Sequence, residues 1–578
     1  MYPVTYPKGR CMTDLNSAPA TEEADSTLAL LQAPAPHDVR EWLSYDRPAE
    51  FESVRFDVQV PTRDGTLLSA RLFRPGRNGQ PVDGRFSGLV ADFTPYDIGQ
   101  NQHRHDYLAE RGYNVLVCYV RGSGDSAGEF AHWFQAVEAE DNYDAIEWLA
   151  AQPFSTGKTG QYGESYGSIT ACRVAALNPP SLQAIAPIAS PTNIYEWLYP
   201  GGVPTANPAW WSGQGPIIDA AAHANNLKSF QDHPLFDEHW EQVVTTNKIA
   251  SATVPALFVG GHYDIFKEGG YDALKQRPTQ TWLLYGPWMH AIPFQVADKV
   301  ATVDRAALQS IVTTGANLAE FGPHKLAPFG TILHWFDYWL EEKPTAKLPP
   351  ARIISYEDNS TPVAGRWTAA EQWPPTESEV TRLYPTAEGD LVTAAPHEST
   401  TDYSVDPFDG PSASLIGSSP TDETRDQQYR EQPLTTSLGR YSGGRTTFTT
   451  HTFDEGTAIA GMVKLHVRAS ITADDTHFVG KLEAVLSDGR VLPIETGSLR
   501  ARLRASRKEL EAIPAGVPVD YEIEIGHTHW RFEAGEQLRV ALSAGDFPRI
   551  LPTAPAGIVT IHHGEHTYVE LPLALDRK

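Results

Sequence analysis

The stretch GQYGESYGSIT at residues 160–170 contains the pattern Gly-x-Ser-x-Gly, centred on Ser165. Glycine and serine are common in turns, so the pattern alone does not identify a nucleophile. The preceding letters TGQY are typical of a short strand, and SYGSITACRVAAL predicts a helix that starts at the serine. A strand, a sharp turn and a helix in this order make Ser165 a candidate nucleophile.

Short apolar strands and helical stripes alternate on both sides of this turn. The strands read SGLVADFTPYD, YNVLVCY, LQAIAPIAS, PALFVGG and TWLLYG, and the helices read HRHDYLAERG and EDNYDAIEWLAAQ. A hairpin with an Asp-Gly turn, FESVRFDVQV-PTRDG-TLLSARLF, precedes them. Continuously apolar strands separated by helices predict a mostly parallel sheet with helices on both faces, the fold class of the α/β-hydrolases.

The length of 578 residues exceeds what one hydrophobic core usually supports, so several domains are expected. Residues 1–45 begin with an aperiodic stretch rich in Ala, Pro, Thr and Glu, which predicts a flexible arm. At 191–253 the alternation breaks into Trp, Pro, Gly and Asn, as expected for a helical cap insertion. The predicted catalytic domain therefore comprises 46–190 and 254–348.

The remainder of the chain is predicted to be a separate β-domain. The Pro349-Pro350 pair marks its start, and strand-like segments such as AGMVKLHVRASI, VDYEIEIG and EQLRVALSA follow. Short strands separated by Asp-Gly and Gly turns are typical of a jelly-roll β-sandwich. We assign residues 349–578 to this domain.

Charge and cysteine content limit the classes of partner and the location. Lys and Arg number 46 against 72 Asp and Glu, a net charge of −26, which argues against nucleic acid or anionic membranes as partners. Three cysteines cannot build a disulfide framework or a zinc site. The lack of a transmembrane-length apolar run and of a signal-peptide pattern predicts a cytoplasmic protein, with Met12 as an alternative start to Met1. A homodimer is an expectation that no motif specifies.

A serine hydroxyl becomes an effective nucleophile when a base takes its proton and a carboxylate orients that base. In α/β-hydrolases an acid and then a histidine follow the nucleophile, each at the end of a later strand. PALFVGGHYDIF places Asp264 just past one strand, and TWLLYGPWMH places His290 just past the next. His262 is the nearest competing imidazole, but it lies too close to Asp264 to fill the later position. The predicted triad is Ser165, Asp264 and His290.

Several segments, in order, resemble the cocaine esterase and X-prolyl dipeptidyl-peptidase family, which includes α-amino acid ester hydrolases and some cephalosporin acylases. The resemblance extends from about residue 51 to the end of the chain. It rests on RDGTLLSARLFRP, TPYD, RGSGDSAGEF, EDNYDAIEWLAAQPFSTGKTGQYGESYG, GGHYDIF, GPWMH, HWFDYWL, RWTAAEQWPP, GSLRAR and DFPR.

The resemblance implies a role for each predicted site residue. Ser165 would attack an acyl carbon, His290 would take and return the proton, and Asp264 would orient the imidazole. The hydroxyl of Tyr96 and the backbone N–H of Tyr166 would form the oxyanion hole. A packed aromatic side chain beside Pro95 is the alternative interpretation of Tyr96. The implied chemistry needs no metal and no organic cofactor, and the implied substrate is a small-molecule ester or amide.

The chain also departs from the family pattern. Where the family usually has an aspartate two residues before the arginine of the RGSGDSAGEF loop, this chain has Tyr119, so Arg121 is expected to lack a local partner. The cap is shorter than in many relatives, and ILPTAPAG replaces the usual continuation after DFPR. These departures leave the predicted triad intact and the substrate open.

Substrate-binding residues are expected next to the nucleophile and in the cap. Glu164 would bind a substrate α-amino group, or it is simply a hydrogen-bonded turn residue. An apolar acyl pocket is expected from aromatic residues that could equally be packing residues. These candidates are Trp133, Phe134, Trp197, Trp210, Trp211 and Trp240.

The histidine-rich stretch HHGEH at 562–566 is a weak candidate for a metal site. In a strand, His562 and His566 face one side, whereas His563 and Glu565 face the other. That alternation favours surface strand residues, so no metal site is predicted here.

The residues favour a serine hydrolase that cleaves an ester or amide bond through an acyl-enzyme, and an ester is favoured over an amide. An acyltransferase or amidase of a biosynthetic pathway and an X-prolyl or α-amino-acyl peptidase are the alternatives. A carbohydrate-binding protein with an inert core is the least favoured, because Ser165, Asp264 and His290 are all present.

Overall fold

The computed structural model describes residues 34–99, 101–205, 218, 220–245, 248–290, 294–295, 327–360, 365–376, 378–407, 444–547 and 550–575. Across these ranges, no helix is long and apolar enough to cross a membrane. The helices are α1 (His37–Leu43), α2 (Gln102–Ala109), α3 (Ala136–Ala150), α4 (Tyr166–Ala175), α5 (Ile194–Leu198), α6 (Ala220–Asp232), α7 (Glu238–Val243), α8 (Glu268–Gln276) and α9 (Gly330–Trp339). Single 3-10 turns lie at Pro200–Gly202, Ile249–Ser251 and Ala501–Leu503.

The strands of the central sheet follow the apolar segments of the sequence. They are β1 (Glu52–Pro61), β2 (Leu67–Arg77), β3 (Phe86–Thr94), β4 (Asn114–Tyr119), β5 (Ser155–Glu164), β6 (Leu182–Ile188), β7 (Ala256–Tyr263), β8 (Thr281–Met289), β9 (Ile353–Asn359) and β10 (Arg366–Ala370). Their spatial order is β1-β2-β4-β3-β5-β6-β7-β8-β9-β10. The pairs from β4 to β9 are parallel, and the opening hairpin and β10 are antiparallel.

Helices cover both faces of this sheet, as the continuously apolar strands predict. The core on one face takes residues from α3, α4 and α8, and the core on the other face takes residues from α1, α2 and α9. Parallel strands bring their carboxyl ends to one edge, so the loops after β3, β5, β7 and β8 meet there. The predicted α/β-hydrolase fold is confirmed.

The described part of the predicted cap is helical and has its own aromatic core. Trp240 on α7 is fully buried, stacks on Phe230 of α6 at 5.9 Å and meets Tyr195 of α5 edge-on at 5.4 Å. Side chains of Asn193 and Asp237 cap the amino ends of α5 and α7. Because its ring is enclosed by cap residues, Trp240 packs the cap rather than lining a pocket.

The end of the predicted flexible arm is ordered, which corrects the assignment of residues 1–45. Helix α1 buries Val39, Trp42 and Leu43, and the indole N–H of Trp42 donates to the carbonyl of Lys347 at 3.1 Å. The spacing of these three residues gives one apolar helix face, and that face docks beside α9. Residues 1–33 lie outside the described part of the chain.

The β-domain consists of two packed sheets. Its longer strands are β11 (Ser378–Pro385), β12 (Ser399–Ser404), β13 (Arg445–Thr449), β14 (Thr457–Ile471), β15 (His477–Val485), β16 (Val491–Arg500), β17 (Val519–Phe532), β18 (Gln537–Ser543), β19 (Ile558–His563) and β20 (Tyr568–Leu575). One sheet contains β13-β18-β15-β16. The other is built around β14, which pairs antiparallel with β17, β19 and β20. Apolar residues from both sheets share one core, as in a β-sandwich.

The boundary predicted at the Pro349-Pro350 pair does not separate the two sheets. Strand β9 lies after it, yet Ile353 to Ser355 pair in parallel with β8 of the central sheet. The end of the same strand, at Asp358 and Asn359, pairs in parallel with β17 of the β-domain. Every residue of β9 is buried, because the strand lies between the two units. The β-domain is therefore attached to the catalytic sheet through backbone hydrogen bonds.

The aspartate of the HWFDYWL motif, Asp337, has a structural role rather than a catalytic one. Asp337 on α9 has a fully buried side chain. Its carboxylate accepts hydrogen bonds from the hydroxyls of Tyr45 and Tyr113 at 2.8 and 2.7 Å and from Nε of Arg47 at 2.7 Å. This one carboxylate joins α9, the segment after α1, and the start of β4.

We expect Asp337→Ala to lower the free energy of unfolding by about 3–5 kcal/mol, because Arg47 is left without its buried counter-charge. The measurement is the urea unfolding midpoint. Glu342→Gln is the matched control, since Glu342 forms an exposed ion pair with Lys158 and its loss should change the midpoint little. Equal midpoints for Asp337→Ala and the wild type would contradict this structural role.

Candidate active site

Ser165 occupies the turn between β5, which ends at Glu164, and α4, which begins at Tyr166. Its backbone has φ 57° and ψ −112°, a left-handed conformation that is costly for a residue with a side chain. Gly163 and Gly167 permit the turn: a Cβ on Gly163 would lie 2.6 Å from the Gly167 carbonyl carbon, and one on Gly167 would lie 2.6 Å from Asp92. The strand, the turn and the helix predicted around Ser165 are all present.

The structure brings Ser165, His290 and Asp264 together. Asp264 follows β7 directly, and His290 follows β8 directly. Nε2 of His290 is 2.9 Å from Oγ of Ser165, and Nδ1 is 2.9 Å from Oδ1 of Asp264. With Nδ1–H donating to Asp264, Nε2 is left to accept the serine hydroxyl proton. This arrangement can deprotonate the serine during attack on an acyl carbon.

Burial and charge act in opposite directions on the imidazole. Burial by itself lowers the pKa of His290, whereas the charge and hydrogen bond of Asp264 and the charge of Glu164 raise it. The balance leaves the pKa of His290 above its ordinary value. The Asp264 side chain is fully buried, so water does not screen this interaction.

Phe266 packs against the imidazole of His290. The sequence did not indicate a role for this residue. Its ring meets that of His290 edge-on at 4.8 Å, and its backbone N–H donates to Oδ1 of Asp264 at 2.8 Å. One residue thus orients the carboxylate and confines the imidazole. It stands two positions after Asp264, but no spacing in the sequence indicated that role.

The two predicted oxyanion-hole residues lie close together, Tyr96 on a loop and Tyr166 at the start of a helix. Tyr96 follows β3, and its ring centre is 6.0 Å from that of Tyr166, which is the first residue of α4. The N–H groups in the first turn of a helix have no acceptor inside the helix and point outward at its positive end. The side chain of Tyr166 is buried, and its hydroxyl donates to Oε2 of Glu138 at 2.8 Å.

Glu138 was also missed, although helical periodicity could have indicated it. It lies on α3 four residues before Asn142 and eight before Ile146, on the helix face that is buried against the sheet. Burial raises the pKa of Glu138 to about 8, although the charge of Arg173 and the hydroxyl of Tyr166 lower it. Through Tyr166, this carboxyl group fixes the first turn of the nucleophile helix.

The aromatic residues predicted for the acyl pocket have different surroundings. Trp133 and Phe134 are each 1% exposed and pack on Tyr166, with ring centres 5.3 and 4.5 Å away. Trp197 is half-buried and meets Phe266 edge-on at 5.3 Å, on the side of the imidazole. Trp210 and Trp211 lie outside the described residues.

Glu164 already has an ionic partner. Its Oε2 lies 2.6 Å from Nη1 of Arg104 on α2, and the two side chains are 12% and 8% exposed. Oε1 is buried and has no hydrogen-bond partner among the residues that the structure describes. Glu164 is therefore not the solvated residue that a turn position allows.

Arg121 lacks the neighbouring aspartate, as expected from Tyr119, but it has ionic partners elsewhere in the chain. Its guanidinium pairs with Asp141 on α3 at 2.5 Å and with Asp64 in the opening hairpin at 3.1 Å. Carboxylates that are distant in sequence replace the neighbouring aspartate of the family pattern. Sequence spacing could not indicate them, because both pairs form only in the folded chain.

The HHGEH stretch bonds to hydroxyl groups of neighbouring strands. His562 contacts Ser470 at 3.0 Å and His563 contacts Thr401 at 2.8 Å, on opposite sides of β19. No group of three or more potential metal-ligating side chains occurs within the ranges given above.

A cavity of about 980 Å³ lies between the cap, the loop after β7 and the β-domain. Asp264, Phe266 and Trp197 contribute to its wall, and Trp373 and His527 contribute from the β-domain. Asp264 therefore lines this cavity, whereas Ser165 and His290 do not.

Two sequence profiles match the chain. Residues 64–223 and 216–292 match the X-Pro dipeptidyl-peptidase (S15 family), and residues 345–570 match the X-Pro dipeptidyl-peptidase C-terminal non-catalytic domain. The first match contains Ser165, Asp264 and His290, and the second contains the β-sandwich.

Individual relatives agree with these profiles. The chain is 26% identical to cocaine esterase from Rhodococcus sp. (strain MB1 Bresler), over 86% of this chain and 92% of that protein. A CocE/NonD family hydrolase from Staphylococcus aureus has the same fold, with a TM-score of 0.66 and 21% identity over 90% of this chain and 94% of its own. An α-amino acid ester hydrolase superposes with a TM-score of 0.68 and 19% identity, over 92% and 98% of the two chains.

The profiles divide the chain between a catalytic part and a β-sandwich, and solved structures of the same two-part fold cover most of it. The resemblance inferred from the motifs is thereby confirmed. This chain belongs to the cocaine esterase and X-Pro dipeptidyl-peptidase family of serine hydrolases.

Proposed function

We propose that this protein is a serine esterase that hydrolyses small carboxylic esters through an acyl-enzyme on Ser165. One observation carries the proposal: a continuous hydrogen-bond chain runs from Asp264 through His290 to Ser165, with 2.9 Å at each link. Esters are favoured over amides because the relative that matches over 86% of the chain is named cocaine esterase. A putative serine esterase from Mycobacterium bovis, 22% identical, supports the same choice.

In the acylation step, Nε2 of His290 takes the hydroxyl proton of Ser165 while Oγ bonds to the acyl carbon. The carbonyl electron pair moves onto oxygen and forms a tetrahedral oxyanion. When the intermediate collapses, the C–O bond to the alcohol breaks and His290 returns the proton to the departing oxygen. Asp264 stabilises the imidazolium that exists between these two proton transfers.

In the deacylation step, water takes the place of the alcohol. His290 removes a proton from the water, and the resulting oxygen attacks the acyl carbon of the ester formed with Ser165. Collapse of this second oxyanion releases the carboxylic acid, and the proton on His290 returns to Oγ. An acceptor other than water at this step would make the protein an acyltransferase.

The oxyanion would be stabilised by the Tyr96 hydroxyl and the Tyr166 backbone N–H. Tyr96 comes from the loop after β3 and Tyr166 from the start of α4, at the same edge of the sheet as Ser165. Donors fixed before the reaction stabilise developing charge without reorganisation during it. The positive end of α4 contributes in the same direction.

Tyr96→Phe is expected to lower kcat by about 10²–10³-fold, the usual cost of losing one oxyanion donor. KM and the thermal unfolding midpoint should change little, because the ring remains. Steady-state kinetics on p-nitrophenyl butyrate measure the effect. Tyr199→Phe is the matched control, since it removes a hydroxyl that bonds the Phe230 carbonyl inside the cap. A wild-type kcat for Tyr96→Phe would remove this hydroxyl from the oxyanion hole.

The activity itself is tested with a substrate panel on the wild-type protein. The panel contains p-nitrophenyl esters of increasing acyl length, an α-amino acid methyl ester, a Gly-Pro anilide and a cephalosporin side-chain amide. Turnover of the simple esters, with Ser165 labelled by a fluorophosphonate, would support the esterase. Labelled Ser165 without hydrolysis of any substrate would argue for acyl transfer to another acceptor.

An α-amino-acyl substrate is the second candidate. Oε1 of Glu164, adjacent to the nucleophile, is buried and has no partner within the described ranges. A carboxylate oxygen in that position could accept a hydrogen bond from a substrate ammonium group. Preference for the amino acid ester or the Gly-Pro anilide in the same panel would favour this candidate.

The cytoplasmic location and the homodimer stay predictions.

A further inference from the structure

We infer that Glu164 is a positioning residue that holds the two loops of the oxyanion hole in a fixed relation. This inference rests on the proposed acyl-transfer function of Ser165. It assigns Glu164 a task distinct from substrate binding. The hole needs two donors from separate loops, namely the loop after β3 with Tyr96 and the turn after β5 with Tyr166.

The first contact fixes the start of the Tyr96 loop. The backbone N–H of Glu164 donates to Oδ1 of Asp92 at 2.8 Å. Asp92 has φ 46° and lies where the register between β3 and β4 shifts, so its side chain turns toward the nucleophile turn. The proximity of Asp92 to Gly167, noted above, places the same carboxylate against the first turn of α4.

The second contact fixes the end of the Tyr96 loop. The carboxylate of Glu164 pairs with Arg104 in the first turn of α2, the helix that follows the loop. The next residue, His105, bonds through Nδ1 to the hydroxyl of Tyr162 on β5 at 2.7 Å. Thus α2 is tied to the nucleophile strand by two adjacent side chains.

Glu164 therefore bonds to β3 and α2, the two elements that flank the loop carrying Tyr96, and it is covalently attached to Ser165. Asp92 precedes Tyr96 by four residues and Arg104 follows it by eight. A displacement at Glu164 would move the Tyr96 hydroxyl relative to the Tyr166 N–H. Displacements of about 1 Å at a reacting centre can cost about 10²-fold in rate.

The charges explain why the arrangement is specific. Arg104 pairs with Glu164. Burial raises the pKa of Asp92 to about 6, although the hydrogen bond from the Glu164 backbone and the charge of Arg104 lower it. Removing one member of such a buried set leaves the others without compensation. Buried ion pairs add little net stability compared with apolar packing, which fits a role in geometry rather than in overall stability.

The test compares Glu164→Gln with the wild type on a neutral ester, p-nitrophenyl butyrate, and on phenylglycine methyl ester, which carries an α-amino group. We expect kcat to fall about 10–100-fold on both esters with little change in KM, because the oxyanion hole serves every acyl group. Glu483→Gln is the matched control. Glu483 also forms a buried pair, with Arg539 in the β-domain at 2.6 Å, and its loss should leave kcat unchanged.

A double-mutant cycle with Tyr96→Phe separates positioning from general structural damage. If Glu164 acts by placing the Tyr96 hydroxyl, the fold-loss caused by Glu164→Gln should shrink toward one in the Tyr96→Phe background. The same fold-loss in both backgrounds would overturn the inference. A rise in KM confined to phenylglycine methyl ester would also overturn it, in favour of substrate-amine binding.

Two further measurements keep the result interpretable. Arg104→Lys retains the charge and replaces Glu164→Gln as the test variant if Glu164→Gln does not fold. A kcat equal to that of the wild type in the variant that is used would refute the inference. Fluorophosphonate labelling of wild-type Ser165 and wild-type turnover of p-nitrophenyl butyrate are measured first. Failure of both would refute the proposed function, whereas a normal wild type with an unaffected Glu164→Gln would refute the positioning role alone.

Discussion

Ser165→Ala is expected to lower kcat for ester hydrolysis by about 10⁶-fold, the scale reported for removal of a serine nucleophile from a triad. Without Oγ, His290 has no hydroxyl to deprotonate and no acyl-enzyme forms. The remaining rate comes from water attack assisted by the oxyanion hole. The measurement is single-turnover and steady-state release of p-nitrophenol, with fluorophosphonate labelling followed by mass spectrometry.

The fold should survive this change, because alanine is smaller than serine at the same turn. Near-UV circular dichroism and the unfolding midpoint check this. Ser470→Ala is the matched control: Ser470 also contacts a histidine Nε2, that of His562, at 3.0 Å, but in the β-domain. Substantial turnover by Ser165→Ala, with the label on another residue, would refute Ser165 as nucleophile.

Asp264→Asn is expected to lower kcat by about 10⁴-fold, the magnitude known for the corresponding change in chymotrypsin-type triads. The amide can donate to Nδ1, which favours the tautomer with the proton on Nε2, and that nitrogen can then no longer act as the base. The position is sensitive because Oδ1 accepts from both His290 and the Phe266 backbone. Burst kinetics with p-nitrophenyl butyrate would locate the loss in acylation.

The pH profile gives an independent readout of the same interaction. The base must be neutral, so kcat/KM should rise with pH through the pKa of His290, which Asp264 holds above its ordinary value of about 6.5. Loss of the negative charge should lower that pKa and move the acid limb of Asp264→Asn to lower pH. Asp358→Asn, at another buried carboxylate, should leave the limb in place. If the acid limb of the kcat/KM profile of Asp264→Asn stayed at the wild-type pH, Asp264 would not be the group that raises the pKa of the titrating imidazole.

The grouping of Ser165, His290 and Asp264 was predictable because the three residues follow a rule of chain order. Ser165, Asp264 and His290 each come directly after a strand. Apolar strands can be recognised from the amino-acid sequence. Parallel strands then bring their carboxyl ends to one edge whatever the loops contain. The nucleophile turn was equally local, since Gly163 and Gly167 are required by contacts within a few residues.

Other features were not predictable, because their partners are distant in sequence. Arg104 and Glu164 are 60 positions apart, and Arg121 pairs with an aspartate 57 positions earlier. The sequence predicts a flexible arm where helix α1 forms, because the apolar face of this helix is short and follows an aperiodic stretch. Its docking beside α9 depends on a surface that exists only after folding.

Three features follow from the amino-acid sequence alone: the fold class, the strand ends that carry Ser165, Asp264 and His290, and the sharp turn at Ser165. Each follows from periodicity or from local steric limits, which act over a few residues. The ion pair of Glu164 with Arg104 and the pairing of β9 with both sheets become evident only in the folded chain. Such contacts depend on the burial of particular side chains against distant segments, and that burial has no local signature in the chain.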